Sequence, residues 1–104
     1  MTVATEEHTD IKPSEVLRIH REAIRETVRA HGVDNPRIFG SVARGTDTPS
    51  SDLDLIVSVP RGAGLGFLLL GENLSEQLGI RVDVISDNGL PGPYHHILDE
   101  AVPL

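Results

Sequence analysis

Residues 53–59 read LDLIVSV, a run dominated by aliphatic and β-branched side chains. Such a composition favours a β-strand that is covered on both faces, which is the position of a central strand in a sheet. Residues 81–85 (RVDVI) predict a second strand, with Val82 and Val84 on one face. The chain therefore needs helices to cover this sheet.

The remaining elements follow from periodicity and from turn-forming residues. Apolar side chains recur at helical spacing across residues 13–31, with Pro13 or Ser14 near the start and Gly32 at the end. The other predicted elements are a strand at residues 37–39, a short helix at 42–44, a glycine-rich connection at 60–66, a helix at 67–78 and a last short helix at 94–101. This order predicts an α/β (α+β) domain with a small mixed sheet flanked by helices.

Length and charge limit the classes of protein that remain. The 104 residues suit one domain, and we expect it to span residues 13–104 after a flexible N-terminal tail at residues 1–12. Sixteen acidic residues against nine Lys and Arg give a net charge of -7, which argues against nucleic acid as the main partner. Cysteine is absent and no apolar run approaches the ~20 residues of a membrane span, so we expect a soluble cytoplasmic protein.

Three aspartates form the strongest candidate for a chemical site. Asp52 and Asp54 are two residues apart, so in a strand their side chains leave the same face with Cα atoms about 6.6 Å apart. Asp83 lies in the second aliphatic strand. Carboxylates crowded together repel one another, and divalent cations relieve this repulsion. Oxygen ligands of this kind suit Mg²⁺.

The segment before these acids has the pattern of a phosphate-binding turn. Gly40 and Ser41 follow a predicted strand and precede a predicted helix, so backbone N–H groups and the Ser41 hydroxyl can point at phosphate oxygens. Gly40 permits close approach of a phosphate, and Gly45 lets the chain turn back toward the acids. Arg44 either pairs with the bound phosphate groups or lies on the surface.

The pattern Gly40-Ser41, then Gly45, then Ser51-Asp52-Leu53-Asp54, with Asp83 on a later strand, resembles the motif of the nucleotidyltransferase superfamily. Flanking stretches, among them His96-Ile97-Leu98-Asp99-Glu100-Ala101-Val102, look like those of minimal nucleotidyltransferases (MNT). The resemblance implies a site that holds two Mg²⁺ ions together with a nucleoside triphosphate. It implies metal ligation by Asp52, Asp54 and Asp83, with Asp83 also activating the attacking hydroxyl. It implies nucleotide binding by the Gly-Ser turn and its neighbours, namely Gly40, Ser41, Arg44, Gly45 and Ser51.

The same resemblance implies a partner and a substrate. MNT proteins typically act as antitoxins of a HEPN-type ribonuclease toxin and transfer AMP from ATP to a tyrosine of that toxin. The expected protein is thus a Mg²⁺-dependent protein adenylyltransferase that forms a complex with a toxin. An acidic chain is also suited to a basic ribonuclease, because opposite charges speed association.

Two alternatives stay open. The fold could serve as a non-catalytic antitoxin that neutralises the toxin by binding, although the intact set of three acids argues against this. It could also be a nucleotidyltransferase acting on tRNA or a small molecule, which the charge and the short length disfavour. No chemistry is expected from Tyr94, which should pack the last helix on the sheet, or from the residues expected at the surface: Asp47, Glu72, Asp87, His95 and His96.

Overall fold

The computed structural model describes residues 11–104, so the tail predicted at residues 1–12 lies almost entirely outside the described residues. The helices are α1 (Pro13–Ala30), α2 (Gly40–Arg44), α3 (Gly64–Leu78) and α4 (His96–Glu100), the last preceded by a 3-10 turn at Gly92–Tyr94. The strands are β1 (Asp34–Phe39), β2 (Leu53–Ser58), β3 (Val82–Ser86) and β4 (Val102–Pro103). None of the described helices has the length and hydrophobicity to cross a membrane.

The four strands form one mixed sheet in the order β3-β2-β1-β4. β2 pairs with β3 in parallel, whereas β1 pairs antiparallel with both β2 and β4. In the parallel pair, Leu53 lies opposite Val82 and Asp54 lies opposite Asp83. The predicted small mixed sheet flanked by helices is confirmed, and its register brings two of the candidate acids side by side.

The core lies between one face of the sheet and helices α1 and α3. Leu53, Leu55 and Val57 of β2 have no exposed surface, because alternate residues of a strand share a face and this face is covered. The residues packed with them include Leu17, Ile24, Val28, Leu70 and Leu74. The predicted central position of β2 is confirmed, but its predicted cover on both faces holds only in part, because Asp54 and Ser58 on the second face are half-buried. The acid-bearing strand is anchored by its own buried neighbours.

The elements that follow β2 differ from the prediction in three respects. Helix α3 begins at Gly64, so part of the expected glycine-rich connection is already helical. The last helix is shorter than expected, and β4 was not predicted at all. Two residues that include a proline carry no strand pattern of their own, and β4 exists because β1 offers an open edge to Val102 and Pro103.

Three side chains to which no chemical role was assigned have surroundings that differ from those predicted. Asp47 is only 7% exposed, and its carboxylate accepts a hydrogen bond of 2.8 Å from the Ser14 N–H in the first turn of α1. Asp87 accepts hydrogen bonds from Ser58 Oγ (2.6 Å) and from Arg37 (2.8 Å). Burial raises the pKa of Asp87, but these two donors outweigh it and hold that pKa below its usual value. Tyr94 is 52% exposed, so the packing role expected for it is wrong.

The contact between α3 and the end of α1 provides a test of the fold. A Cβ on Gly66 would lie 1.9 Å from the His31 carbonyl oxygen, whereas a Cβ on Gly64 would meet nothing within 4 Å. We expect Gly66→Ala to lower the free energy of unfolding by about 1–3 kcal/mol, because the two backbones must separate. Gly64→Ala, in the same helix, should leave it unchanged or raise it by up to about 1 kcal/mol. Urea unfolding of both variants measures this, and equal effects would contradict the close contact.

Candidate active site

The turn between β1 and α2 requires glycine for a reason that the sequence did not show. Gly40 has a φ of +76°, in the left-handed region that favours glycine. A Cβ at this position would lie 2.3 Å from Asp54 Oδ2. The missing side chain therefore makes room for the Asp54 carboxylate, and the approach of a phosphate to Gly40 stays a prediction.

Gly45 ends α2, also with a positive φ of +76°, and a Cβ there would meet nothing within 4 Å. Its N–H donates to the Val42 carbonyl at 3.2 Å, and the Thr46 N–H donates to the Ser41 carbonyl at 2.9 Å. These bonds close the helix and turn the chain toward β2. The turning role predicted for Gly45 agrees with this geometry.

The three candidate acids come together at the start of β2 and β3. Each of Asp52, Asp54 and Asp83 offers one carboxylate oxygen within 4.8 Å of the others. Asp54 and Asp83 face each other across the parallel pair, while Asp52 lies one residue before β2 begins. Asp52 and Asp54 are half-buried and Asp83 is exposed, so the cluster is anchored on one side and open to solvent on the other.

The electrostatics of the cluster centre on Asp54. Burial first, and then the neighbouring carboxylates of Asp83 and Asp52, together raise the pKa of Asp54 to about 6, while Arg44 acts to lower it. The carboxylates thus hold more negative charge than this environment favours. An oxygen-only donor set in such a place suits a hard divalent cation, so these residues fit Mg²⁺.

Two arginines border the cluster, and one of them was not predicted. Arg81 Nε donates to Asp52 Oδ1 at 2.8 Å. The sequence places Arg81 directly before Val82, the first residue of β3. Val82 pairs with Leu53, the residue that follows Asp52. The parallel pairing that makes these two residues neighbours is not visible in the sequence.

The second arginine is Arg44, for which two roles were left open. It lies on the surface and pairs with Glu100 of α4 at 3.2 Å, while its charge also acts on Asp54. Glu100 accepts a further bond of 3.2 Å from the Gly40 N–H. This bond, together with Arg44, keeps the pKa of Glu100 below its usual value. Glu100 was missed because only the tertiary fold brings α4 to the Gly-Ser turn.

The two serines predicted to bind nucleotide differ in their surroundings. Ser41 is half-buried at the start of α2, beside Gly40. The Ser51 hydroxyl accepts a hydrogen bond of 2.9 Å from the Thr48 N–H, and the Ser51 N–H donates to the Thr48 carbonyl. Ser51 therefore closes the turn that leads into Asp52, and the nucleotide-binding role of both serines stays a prediction.

A mixed sheet with three convergent carboxylates beside a Gly-Ser turn is an arrangement typical of enzymes that catalyse phosphoryl transfer. Residues 17–101 match the nucleotidyltransferase domain family, and the chain belongs to this family. The protein is a nucleotidyltransferase.

The chain is also similar to individual proteins that carry more specific names. The chain is 36% identical over 81 residues to a Methanocaldococcus jannaschii protein named as a protein adenylyltransferase, covering 77% of this chain and 80% of that one. It is 34% identical over 76 residues to the protein adenylyltransferase MntA of Thermococcus cleftensis, covering 72% and 74%. A solved structure described as a minimal nucleotidyltransferase is similar with a TM-score of 0.76 and 42% identity, covering 88% of this chain and 95% of that one.

A solved toxin–antitoxin structure with AMP-PNP is similar in fold, with a TM-score of 0.63, 18% identity and coverage of 77% of this chain and 68% of that chain. At this identity the likeness concerns the fold alone.

The two positive-φ glycines of α2 form a matched pair for testing the site. Alanine at either position should cost about 1–2 kcal/mol of folding stability, because both backbones are left-handed. Gly40→Ala alone should also displace the Asp54 carboxylate and weaken Mn²⁺ binding, whereas Gly45→Ala should leave Mn²⁺ binding unchanged. Calorimetric titration with Mn²⁺, beside urea unfolding, measures both effects. Equal metal affinities in the two variants would contradict the contact.

The raised pKa of Asp54 predicts how stability depends on pH. Its pKa is about 6 in the folded chain against 3.8 ordinarily. Between these values the folded state holds a proton that the unfolded state has released, so the contribution of Asp54 to stability falls as pH rises. Above pH 6 the loss of folding stability caused by ionised Asp54 is complete. Solvent screening of this half-buried group limits that loss to on the order of 1–2 kcal/mol.

Asp54→Asn should therefore unfold at higher urea than wild type at pH 7.5 in EDTA, with the difference shrinking toward pH 4.5. Glu72→Gln, which removes an exposed charge on α3, is the control and should show no such trend. A difference between Asp54→Asn and wild type that does not change with pH would contradict the shifted pKa.

Proposed function

We propose that this chain is a Mg²⁺-dependent protein adenylyltransferase that transfers AMP from ATP to a tyrosine hydroxyl of a HEPN-type ribonuclease toxin and so acts as its antitoxin. The observation that carries the proposal is the convergence of Asp52, Asp54 and Asp83 within 4.8 Å beside the Gly40 turn. This arrangement supplies the ligands and the open side that nucleotidyl transfer to a large acceptor needs.

In the proposed reaction, the tyrosine oxygen attacks the α-phosphorus of ATP in line with the bond to the leaving pyrophosphate. A P–O bond to tyrosine forms as the bond to the bridging oxygen breaks, and the tyrosine proton passes to Asp83. The exposure of Asp83 supports this role, because an incoming side chain can reach it. Bound by the three acids, Mg²⁺ would stabilise charge on the phosphoryl oxygens and on the leaving group.

The rigid part of the site supports the positioning that such a reaction requires. Asp54 is held between Leu53 and Leu55, neither of which has exposed surface. A strand fixed in this way holds its carboxylate with little freedom, and positioning supplies a large share of catalysis in phosphoryl transfer. Asp54 and Asp52 would serve as metal ligands throughout.

The shape of the surface favours a macromolecular acceptor over a small molecule. Two grooves on the surface of residues 11–104 have volumes of about 370 and 180 Å³, and neither is lined by any of the three acids. The cluster instead lies on an open face, with Asp83 exposed. A partner protein can complete such a site by presenting its own hydroxyl.

The comparisons support the choice of partner. Two of the relatives are named protein adenylyltransferases, and a structure of similar fold is a toxin–antitoxin complex with AMP-PNP. The charge of -7 on this chain also favours association with a basic protein, as ribonucleases that bind RNA phosphates tend to be.

The first experiment incubates the purified chain with ATP, Mg²⁺ and its cognate toxin, and reads intact masses of both proteins. The toxin should gain one or more AMP units on tyrosine. Asp52→Asn should lower the initial rate about 100-fold or more, since metal ligation is worth several kcal/mol in the transition state. Asp99→Asn, an exposed acid of α4 outside the cluster, is the matched control and should retain the rate.

The same variants separate catalysis from simple binding. If Asp52→Asn forms a stable complex with the toxin but no longer protects cells from it, adenylylation is the protective activity. If that variant still protects cells and wild type adds no mass to the toxin, the chain acts as a binding antitoxin and the proposal is wrong.

A further inference from the structure

Asp52 differs from the other two acids in how its backbone is held. Asp54 lies in β2 and Asp83 in β3, where ladder hydrogen bonds fix both backbones. Asp52 precedes β2 and therefore has no place in the ladder. The side chain of a metal ligand in this position needs another constraint if it is to stay in the cluster.

Residue 81 supplies three hydrogen bonds to the segment that carries Asp52. Arg81 Nε donates to Asp52 Oδ1 at 2.8 Å, and its terminal NH2 group donates to the Ser50 carbonyl at 3.4 Å. The Arg81 carbonyl accepts from the Leu53 N–H at 3.0 Å. Residues before, at and after Asp52 are thus all tied to the start of the strand that carries Asp83.

The geometry of the guanidinium leaves room for a metal. Arg81 engages Oδ1 of Asp52 through a single nitrogen, while its second nitrogen is used on the Ser50 carbonyl. Among residues 11–104, Oδ2 of Asp52 accepts no hydrogen bond, so this oxygen is available to a cation held by the cluster. A carboxylate can accept from arginine with one oxygen and bind a metal with the other, and such outer contacts orient the ligand.

From these contacts we infer that Arg81 is a positioning residue, which orients Asp52 for metal binding without touching the reacting atoms. The inference rests on the proposed function for the metal, and it assigns to Arg81 a role in building the site. For the loss of the Arg81 side chain, this role predicts a change in cation affinity that is opposite in sign to the change expected from charge alone. Removing a positive charge beside three carboxylates would strengthen cation binding by electrostatics, whereas loss of orientation weakens it.

The test is a titration of the purified chain with Mn²⁺ alone, following free Mn²⁺ by electron paramagnetic resonance. Arg81→Ala should weaken Mn²⁺ binding by about 10-fold or more, in the range seen for loss of outer contacts to metal ligands. Arg81→Lys keeps the charge but cannot bond Asp52 and the Ser50 carbonyl with one planar group, so it should restore the affinity in part. The Arg81 side chain is 77% exposed, so both variants should fold normally.

Arg61→Ala is the matched control, because Arg61 is an exposed arginine in the loop before α3 and its removal changes the net charge equally. It should leave Mn²⁺ affinity unchanged, and unfolding in EDTA should be the same for all variants. Affinity in Arg81→Ala equal to or tighter than wild type would overturn the inference. Absence of Mn²⁺ binding by wild type would overturn the metal site itself, and Arg81's role with it. Neither result depends on the toxin or on AMP transfer.

Discussion

The parallel pairing of β2 with β3 is the constraint on which the site depends. Its register places Asp54 opposite Asp83, although like charges on neighbouring strands destabilise a sheet. The chain tolerates this because Leu53, Leu55 and Val57 bury the other face of β2 completely against α1 and α3. The hydrophobic face thus offsets the repulsion on the acidic face, and a cation bound by the acids would relieve it further.

The surroundings of the acids are built from groups that limit how the carboxylates can move. Gly40 lacks the side chain that would occupy the space of the Asp54 carboxylate, and its left-handed backbone admits glycine readily. Glu100 ties α4 to the same turn through the Gly40 N–H and Arg44. Helix α4, near the end of the sequence, is therefore in contact with the candidate nucleotide-binding turn, and a substitution in α4 would affect the site.

The proposed site matches the chemistry of nucleotidyl transfer. Nucleotidyl transfer demands few covalent steps from the protein, since metal ligands, a positioned triphosphate and an aligned hydroxyl carry the reaction. In the proposed function, three acids on an open sheet face and one turn would provide the first two of these. The acceptor's own protein can provide the third, which is consistent with similarity to named protein adenylyltransferases that match along most of their length.

The sequence by itself determined the elements with strong local signals. Aliphatic runs predicted β2 and β3, helical periodicity predicted α1, and the motif formed by Gly40, Ser41, Asp52 and Asp54 resembled that of nucleotidyltransferases. These features depend on residues close together in the chain. The tertiary structure alone decided the contacts of Arg81, Glu100 and Asp47, and the existence of β4, because each depends on a partner about 30 to 65 residues away in the sequence. A local sequence pattern does not specify which distant residue a side chain will contact. These contacts form only when the sheet has assembled on its buried face.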